Sequence, residues 1–349
     1  MLTNSLYNLS FLLSMPYNNI NLISKHKYNL DDTILKEIYL KKLFNFEWAK
    51  KLNSSFKDYK FDYAYNILEQ IPSFIKVKLI LKTSFIVKTY PQNINSVSIN
   101  EYILILEYLQ DKCKIQFIAE NEENPLLYEH ILNTDLSSLV NSRNFNKNSN
   151  INVYKDKLSS IDSLFEMFIA SSWLSTNNHD EKRASKFNVT DACDYAERFS
   201  LNYNPEYKSF SGIGGDCTNF MSQIIHAGGF SQNAAWKPYT HAWIRVEELY
   251  QYLITPKLEA TKLPNDKSLD RGCLIQFYTP SIGRYFHNGF ITYRLQNGDC
   301  LYCCHSYDKL NYPLSQIYPN RYPTLRALKF DWYTISISNS RSYIDNPTL

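Results

Sequence analysis

The sequence lacks the long apolar run that a membrane-spanning helix requires. All of its apolar stretches fall short of the roughly 20 residues needed to cross a bilayer. A secretory signal begins with positive residues, but the first basic residue is Lys25, which lies after the short apolar stretch Leu9–Met15. We therefore expect no membrane span and predict a cytoplasmic protein, secreted only if a leader has been removed.

An excess of charge of either sign is also absent. The chain has 37 basic and 34 acidic residues, a formal net charge of +3, and no dense cluster of lysine or arginine. Nucleic-acid-binding proteins normally present such a cluster to the phosphate backbone. The composition therefore excludes nucleic acid from the expected partners, and it leaves the oligomeric state open.

The chain lacks the even, regularly spaced cysteines of a domain stapled by disulfides. It contains seven cysteines at irregular spacing: Cys113, Cys193, Cys217, Cys273, Cys300, Cys303 and Cys304. Such a set is typical of buried thiols in a reducing compartment. We predict that none of them forms a structural disulfide.

A dense group of possible metal ligands lies at Cys300, Cys303, Cys304 and His305. If this segment is a strand, alternation places two of the four on each face, with Cys300 and Cys304 together. A closed zinc site needs four ligands that converge on one point. We therefore predict no bound metal here, and no other cofactor for the protein.

The chain has the composition and length of a globular protein with two domains. Hydrophobic residues make up 44% of its 349 residues, enough for a substantial core. Helical spacing over residues 30–68 is followed by an alternating strand at 75–82 and by a hairpin of strands 101–109 and 113–119. We predict an α+β accessory domain over residues 1–125, which resembles in pattern the cystatin-like and nuclear-transport-factor-like modules.

A linker and a second domain are predicted to follow. The Asn- and Ser-rich stretch at 141–152 and a helical stretch at 155–174 indicate a connecting region over residues 126–180. The second domain, residues 181–349, is predicted to contain helices at 189–200 and 217–228, strands at 271–279, 286–295 and 299–305, and one or more closing strands at 325–337.

Cys217 is the cysteine whose position suggests chemistry. Gly214 and Gly215 allow a sharp turn, and Asp216 is a typical N-cap residue, so Cys217 falls on the first turn of its helix. The positive end of a helix stabilises a thiolate, and its backbone N–H groups can bind an oxyanion. The alternative is a core cysteine, because Cys217 shares a helix face with Phe220.

A thiol nucleophile also needs a base within hydrogen-bonding reach. His287 opens the predicted strand at 286–295, and the next strand ends in His305. A polar group on the strand after the base can fix the tautomer of the imidazole. A cysteine at a helix tip, a histidine on a strand and a polar group on the neighbouring strand are the papain-like arrangement.

The chain from residue 192 onward resembles the putative amidase domain family of bacteria, which is related to papain-like cell-wall peptidases. The matching segments are Ala196-Glu197-Arg198, Asn204-Pro-Glu-Tyr207, Gly214-Gly-Asp-Cys-Thr-Asn-Phe220, Ser222-Gln223, Trp243–Leu253, Gly272–Tyr278, His287 and His305–Leu314. The resemblance implies a papain-like α+β fold in which Cys217 is the nucleophile and His287 the base. At Asn288 the family commonly has serine.

Two residues are candidates for the third catalytic residue beside Cys217 and His287. Either His305 or Asp308 could orient the imidazole of His287, and we favour His305 because it sits at the end of a strand. Asp216 and Tyr207 are possible supporting residues, although a helix cap for Asp216 and loop packing for Tyr207 are the more common roles.

These residues predict an amide-bond hydrolase that works through a thioester on Cys217. The expected substrate is a peptide or acyl-amide, possibly carrier-bound, and the family resemblance suggests a cell-wall peptide. A second hypothesis keeps the Cys–His site but replaces water by an amine, which makes the protein an acyltransferase or amide-bond former. A third hypothesis is a binding module without catalysis, which the presence of both Cys217 and His287 argues against.

Overall fold

A computed structural model describes most of the chain, namely residues 1–16, 19, 28–110, 112–142, 150–173, 187–255, 260–262 and 269–330. The second half of the predicted closing strand, residues 331–337, lies outside this part, as does the predicted boundary at residue 181. Within the described residues, no helix has the length and apolar character needed to span a membrane.

The described elements make a mixed α+β protein, as predicted, whose sheet is antiparallel. The helices are α1 Leu2–Ser14, α2 Asp32–Lys51, α3 Pro125–Asn133, α4 Leu136–Ser142, α5 Ile151–Ser159, α6 Ile161–Trp173, α7 Val189–Phe199, α8 Cys217–Ala227, α9 His241–Ile244 and α10 Val246–Leu253. The strands are β1 Phe56–Ile71, β2 Phe74–Val87, β3 Ile94–Leu109, β4 Lys112–Glu120, β5 Ala260–Lys262, β6 Leu274–Thr279, β7 Arg284–Arg294, β8 Cys300–Cys304, β9 Lys309–Pro313 and β10 Leu325–Phe330.

The helical character predicted for residues 30–68 holds only for its first part. Asp31 caps α2 by accepting a hydrogen bond from the N–H of Thr33 at 2.9 Å, and α2 ends at Lys51. Residues 56–71 form β1 instead, in which every second residue over much of the strand is more exposed than its neighbours. Tyr59, Phe61, Tyr63 and Tyr65 recur at every second position, and this period of two outweighs helical propensity. Helix α1 was not predicted.

One sheet of ten strands runs through both halves of the chain. Its order is β1-β2-β3-β9-β8-β7-β6-β10-β5, and β4 pairs with β3. The link between the halves is the pairing of Val97 with Leu310 and of Ser98 with Lys309. Strands from residues 75–119 and 273–305 therefore belong to one continuous sheet, whereas two separate domains would each have a sheet of their own. The domain limits 1–125, 126–180 and 181–349 stay a prediction.

The length of β3 explains how the two halves share a sheet. Its last eight residues, from Tyr102 onward, pair with β4, while its first part extends beyond that partner. The edge left open at Val97 and Ser98 pairs with β9. An uncovered strand edge presents N–H and C=O groups that need partners, and β9 supplies them.

Two hydrophobic layers enclose the second half of the sheet. Helices α7, α8 and α10 cover one face, where Phe220 and Ile224 of α8 pack with Phe290 of β7. The opposite face packs Phe277 and Tyr302 against residues that follow β9: Leu314, Ile317, Tyr318 and Tyr322. This layering fixes α8 against β7, so that the first turn of the helix meets the strand that carries His287.

Candidate active site

The loop before α8 is built around two glycines and a serine. Gly214 and Gly215 have φ angles of +86° and +96°, a region that favours glycine. A Cβ on Gly215 would lie 3.1 Å from Oγ of Ser306. Oγ of Ser306 accepts hydrogen bonds from the N–H groups of Asp216, at 2.7 Å, and Cys217, at 3.2 Å. The predicted start of the helix at Cys217 is confirmed, and Ser306 holds it in place.

The thiol of Cys217 lies against β7. Its Sγ is 3.8 Å from Oγ1 of Thr218 and 3.9 Å from Nδ2 of Asn288. Burial raises the pKa of the Cys217 thiol, and hydrogen bonds from Asn288 and Thr218 offset this only in part. Burial therefore acts against the thiolate that the helix tip is predicted to favour.

The imidazole of His287 lies in an aromatic cage. Its ring centroid is 5.7 Å from that of Phe277, 4.9 Å from that of Tyr307 and 6.5 Å from that of Tyr322. Its Nε2 is buried, and within the described part of the chain it has no hydrogen-bond partner. The pKa of His287 is lowered to about 3, chiefly by burial; the carboxylate of Glu122 opposes this shift and Lys309 contributes to it.

Cys217 begins α8 and His287 lies on the adjacent strand β7, and no hydrogen bond joins the two side chains among the described residues. Asn288 faces α8, whereas His287 pairs across the sheet with Phe277 of the opposite layer. Among the hydrogen bonds of the described residues, none joins Sγ of Cys217 to the ring of His287. Tyr307 connects the two environments, because it contacts the His287 ring and the charge of a Cys217 thiolate would raise its pKa. The catalytic pair stays a prediction.

His305 has partners other than His287. Its Nδ1 lies 2.7 Å from Oδ2 of Asp216, and its Nε2 lies 2.8 Å from the carbonyl oxygen of Phe199. Its ring is stacked between those of Phe220 and Tyr203, at 3.7 and 3.8 Å. Both ring nitrogens are engaged, so the structure corrects the predicted role: His305 positions the loop before Cys217 and does not orient His287.

The remaining predicted residues support the surroundings of the site. Asp308 accepts a hydrogen bond from Oη of Tyr203 at 3.0 Å, on the His305 side, and burial raises its pKa. Asp216 occupies the N-cap position but makes no side-chain cap bond, which corrects the predicted cap. Its carboxylate instead accepts from the N–H of Phe210 and from Nδ2 of Asn219. Tyr207 stacks on Trp243, at 6.0 Å, as loop packing predicts.

A buried chain of amide and hydroxyl groups beside Cys217 was not predicted. Gln276 donates to Oδ1 of Asn288 at 2.8 Å, and Asn288 donates to Oγ1 of Thr218 at 2.8 Å. Side chains alternate along β7, so His287 and Asn288 lie on opposite faces of the sheet. The predicted strand already indicated this placement of Asn288. Which of the two faces receives α8 depends on tertiary packing.

The metal-ligand pattern at Cys300 divides between the two faces as predicted. Cys300 and Cys304 pack in one hydrophobic layer and Cys303 in the other. No group of three His, Cys, Asp or Glu residues suited to a metal ion occurs in the residues that the structure describes. All seven cysteines are buried and free.

A cavity of about 860 Å³ lies in the first half of the molecule. It is lined by residues of α2 and β2–β4, and also by Glu122, Lys309 and Arg321. Neither Cys217 nor His287 lines it.

Comparison with known proteins shows which family part of this chain is similar to. Residues 186–326 match the sequence model of the family described as "Putative amidase domain". This confirms the predicted resemblance for a segment that includes all six predicted site residues: Tyr207, Asp216, Cys217, His287, His305 and Asp308.

Two proteins of Bacillus subtilis (strain 168) are similar to this chain. "Uncharacterized protein YhbB" is 27% identical over 225 residues, which cover 59% of this chain and 65% of that protein. "Uncharacterized protein YjcM" is 40% identical over 63 residues, 18% of this chain and 15% of that protein. The chain thus spans less than two thirds of either relative. No solved structure matches it.

Proposed function

We propose that this protein is a cysteine-dependent amide-bond hydrolase with a papain-like arrangement of its site. The observation that carries the proposal is the position of Cys217, at the start of a buried helix and with its sulfur 3.9 Å from Asn288, the residue after His287. The match of residues 186–326 to an amidase family supports the same reaction class.

The reaction begins from a neutral pair. Burial raises the pKa of Cys217 and lowers that of His287, so the resting site holds a thiol and a neutral imidazole. His287 takes the thiol proton as the sulfur attacks the carbonyl carbon of the substrate. It then gives that proton to the leaving amine as the C–N bond breaks. Water, activated by His287, cleaves the thioester and releases the acid.

The oxyanion formed in this reaction needs hydrogen-bond donors. The N–H of Cys217 is one candidate, and a substrate has to compete for it with Oγ of Ser306. Nδ2 of Asn288 is a second candidate, because one of its two hydrogens binds Thr218 and the other is directed to Sγ of Cys217, the atom that attacks the substrate. The first donor is in the first turn of α8, and the second lies 3.9 Å from Sγ of Cys217.

An acyltransferase is a second candidate function, favoured by the apolar, buried environment of His287. His287 is buried among Phe277, Tyr307 and Tyr322. An apolar environment that excludes water protects a thioester from hydrolysis and lets an amine acceptor compete. The acyl donor in either case is a peptide or acyl-amide, either free or held on a carrier.

Mass spectrometry of the full chain with candidate peptide and acyl-amide donors tests these functions. We expect an acyl adduct on Cys217 that disappears in water, and its transfer to an added amine marks the acyltransferase. Cys217→Ala should abolish both adduct and turnover, while Cys193→Ala, which removes another buried helical thiol, should keep both. A Cys217→Ala protein that retains turnover contradicts the proposal, and binding without any adduct favours a non-catalytic module.

A further inference from the structure

We propose that the first half of the chain completes the active site, with the carboxylate of Glu122 as the positioning and charge-stabilising partner of His287. This inference rests on the proposed function. Glu122 follows β4 and belongs to a segment outside the residues that match the amidase family.

Glu122 is a buried carboxylate fixed by charged partners from the second half. It is 2% exposed. Its Oε2 binds Nζ of Lys309, at 2.7 Å, and the guanidinium of Arg321. Its Oε1 is 3.5 Å from Oη of Tyr322, the only hydrogen bond of that oxygen among the described residues. Oε1 therefore keeps capacity to interact with a cation.

The residues that hold Glu122 also surround His287. The ring of Tyr322 is stacked 6.5 Å from that of His287. Lys309 donates to the carbonyl oxygen of Tyr307 at 3.2 Å, and the ring of Tyr307 lies 4.9 Å from His287. The Glu122 cluster thus defines one wall of the imidazole's cage.

The chemistry of the reaction requires such a carboxylate. When His287 takes the thiol proton, a positive charge forms in a dry cage, and an unpaired buried charge is costly. Lys309 opposes this charge, and Glu122 is the carboxylate that favours it. Nε2 of His287 has no hydrogen-bond partner within the described residues, so no hydrogen bond there competes with the electrostatic effect of the Glu122 carboxylate. A carboxylate near an imidazole stabilises the imidazolium during proton transfer.

The test compares Glu122→Gln with Glu120→Gln. Glu120 is a matched control because it is also buried and binds Arg321, but its other partners are Lys41 and Asn100. We expect Glu122→Gln to lower kcat about tenfold or more with little change in KM, as expected for lost transition-state stabilisation. Glu120→Gln should keep kcat, and Glu122→Asp should recover part of the loss. Equal losses of kcat in the two Gln variants, after their folding is checked by circular dichroism, overturn the proposal.

A second readout separates this inference from the proposed function. The imidazole nitrogens of His287 can be titrated by nitrogen-15 NMR in the inactive Cys217→Ala protein. Loss of the Glu122 charge should move the midpoint of His287 to lower pH by about one unit or more. Glu120→Gln should leave it in place. An unchanged midpoint in Glu122→Gln refutes the inference, even if amide hydrolysis is established; a shifted midpoint without turnover refutes only the proposed function.

Discussion

Burial controls the chemistry of the candidate nucleophile at the scale of single residues. A helix N-terminus stabilises a thiolate by a modest amount, whereas removing a charged group from water is far more costly. Cys217 is 8% exposed, and burial raises its pKa. Burial thus favours the protonated thiol, and in the proposed reaction the proton leaves the sulfur as it attacks the substrate carbonyl.

Alkylation by iodoacetamide tests this protonation state. Cys217 should react first among the seven thiols, because each of the other cysteines is at most 2% exposed. Its rate should rise about tenfold per pH unit through neutral pH, since the thiolate fraction grows with pH until the raised pKa is reached. Peptide mapping after brief alkylation at several pH values gives the rate for each cysteine. A rate independent of pH between 6 and 8 would instead mean a preformed thiolate, as the helix tip alone predicts.

At the scale of elements, the start of α8 depends on the loop that precedes it. Ser306 has a φ of +76° and accepts the N–H groups of both Asp216 and Cys217. Asp216 joins this loop to His305 and Asn219. The helix tip is thus held by residues of the turn after β8 as well as by its own sequence.

Alanine at the two glycines of this loop separates backbone strain from active-site geometry. Gly214→Ala and Gly215→Ala should each cost roughly 1–2 kcal/mol of stability, because both glycines have positive φ angles. Only a Cβ on Gly215 contacts Ser306, at 3.1 Å, whereas one on Gly214 meets nothing within 4 Å. We expect Gly215→Ala to lose turnover at least tenfold more than Gly214→Ala. Urea denaturation and amide hydrolysis measure the two effects, and equal activities would show that the Ser306 contact is dispensable.

At the scale of the whole molecule, a shared strand and buried ion pairs join the two halves. Strand β3 pairs with β9 through two residue pairs. Arg321 binds both Glu120 and Glu122, and Lys309 binds Glu122. A charge buried in such a cluster is stabilised only while its partners remain. Separation of the halves would break these contacts together.

Arg321→Ala tests whether the molecule unfolds as one unit. The substitution removes the cation that Glu120 and Glu122 share, leaving each carboxylate with one lysine, and should cost about 3–5 kcal/mol. The matched control Arg245→Ala removes an exposed pair with Glu248 and should cost less than about 1 kcal/mol. Urea unfolding of the wild-type chain should show a single transition that shifts as a whole in Arg321→Ala. Two separate transitions would support independent domains.

Local patterns predicted the elements that carry the candidate site. Gly214, Gly215 and Asp216 predicted the start of a helix at Cys217, and the helix begins there. The strand predicted at residues 286–295 is present as β7. These features depend on backbone freedom and on side-chain period, which neighbouring residues encode. The same period marks β1, but the helical interpretation of residues 30–68 extended across it.

The sequence by itself therefore determined the α+β class, the helix tip at Cys217 and the resemblance to an amidase family. The tertiary structure alone decided that β3 pairs with β9, that His305 binds Asp216, and that Glu122 lies by the cage of His287. The physical reason is the distance along the chain between the interacting residues. Turns and periods arise from adjacent residues, whereas strand partners, burial and the fields of buried charges depend on residues far apart in the chain, which no local pattern specifies.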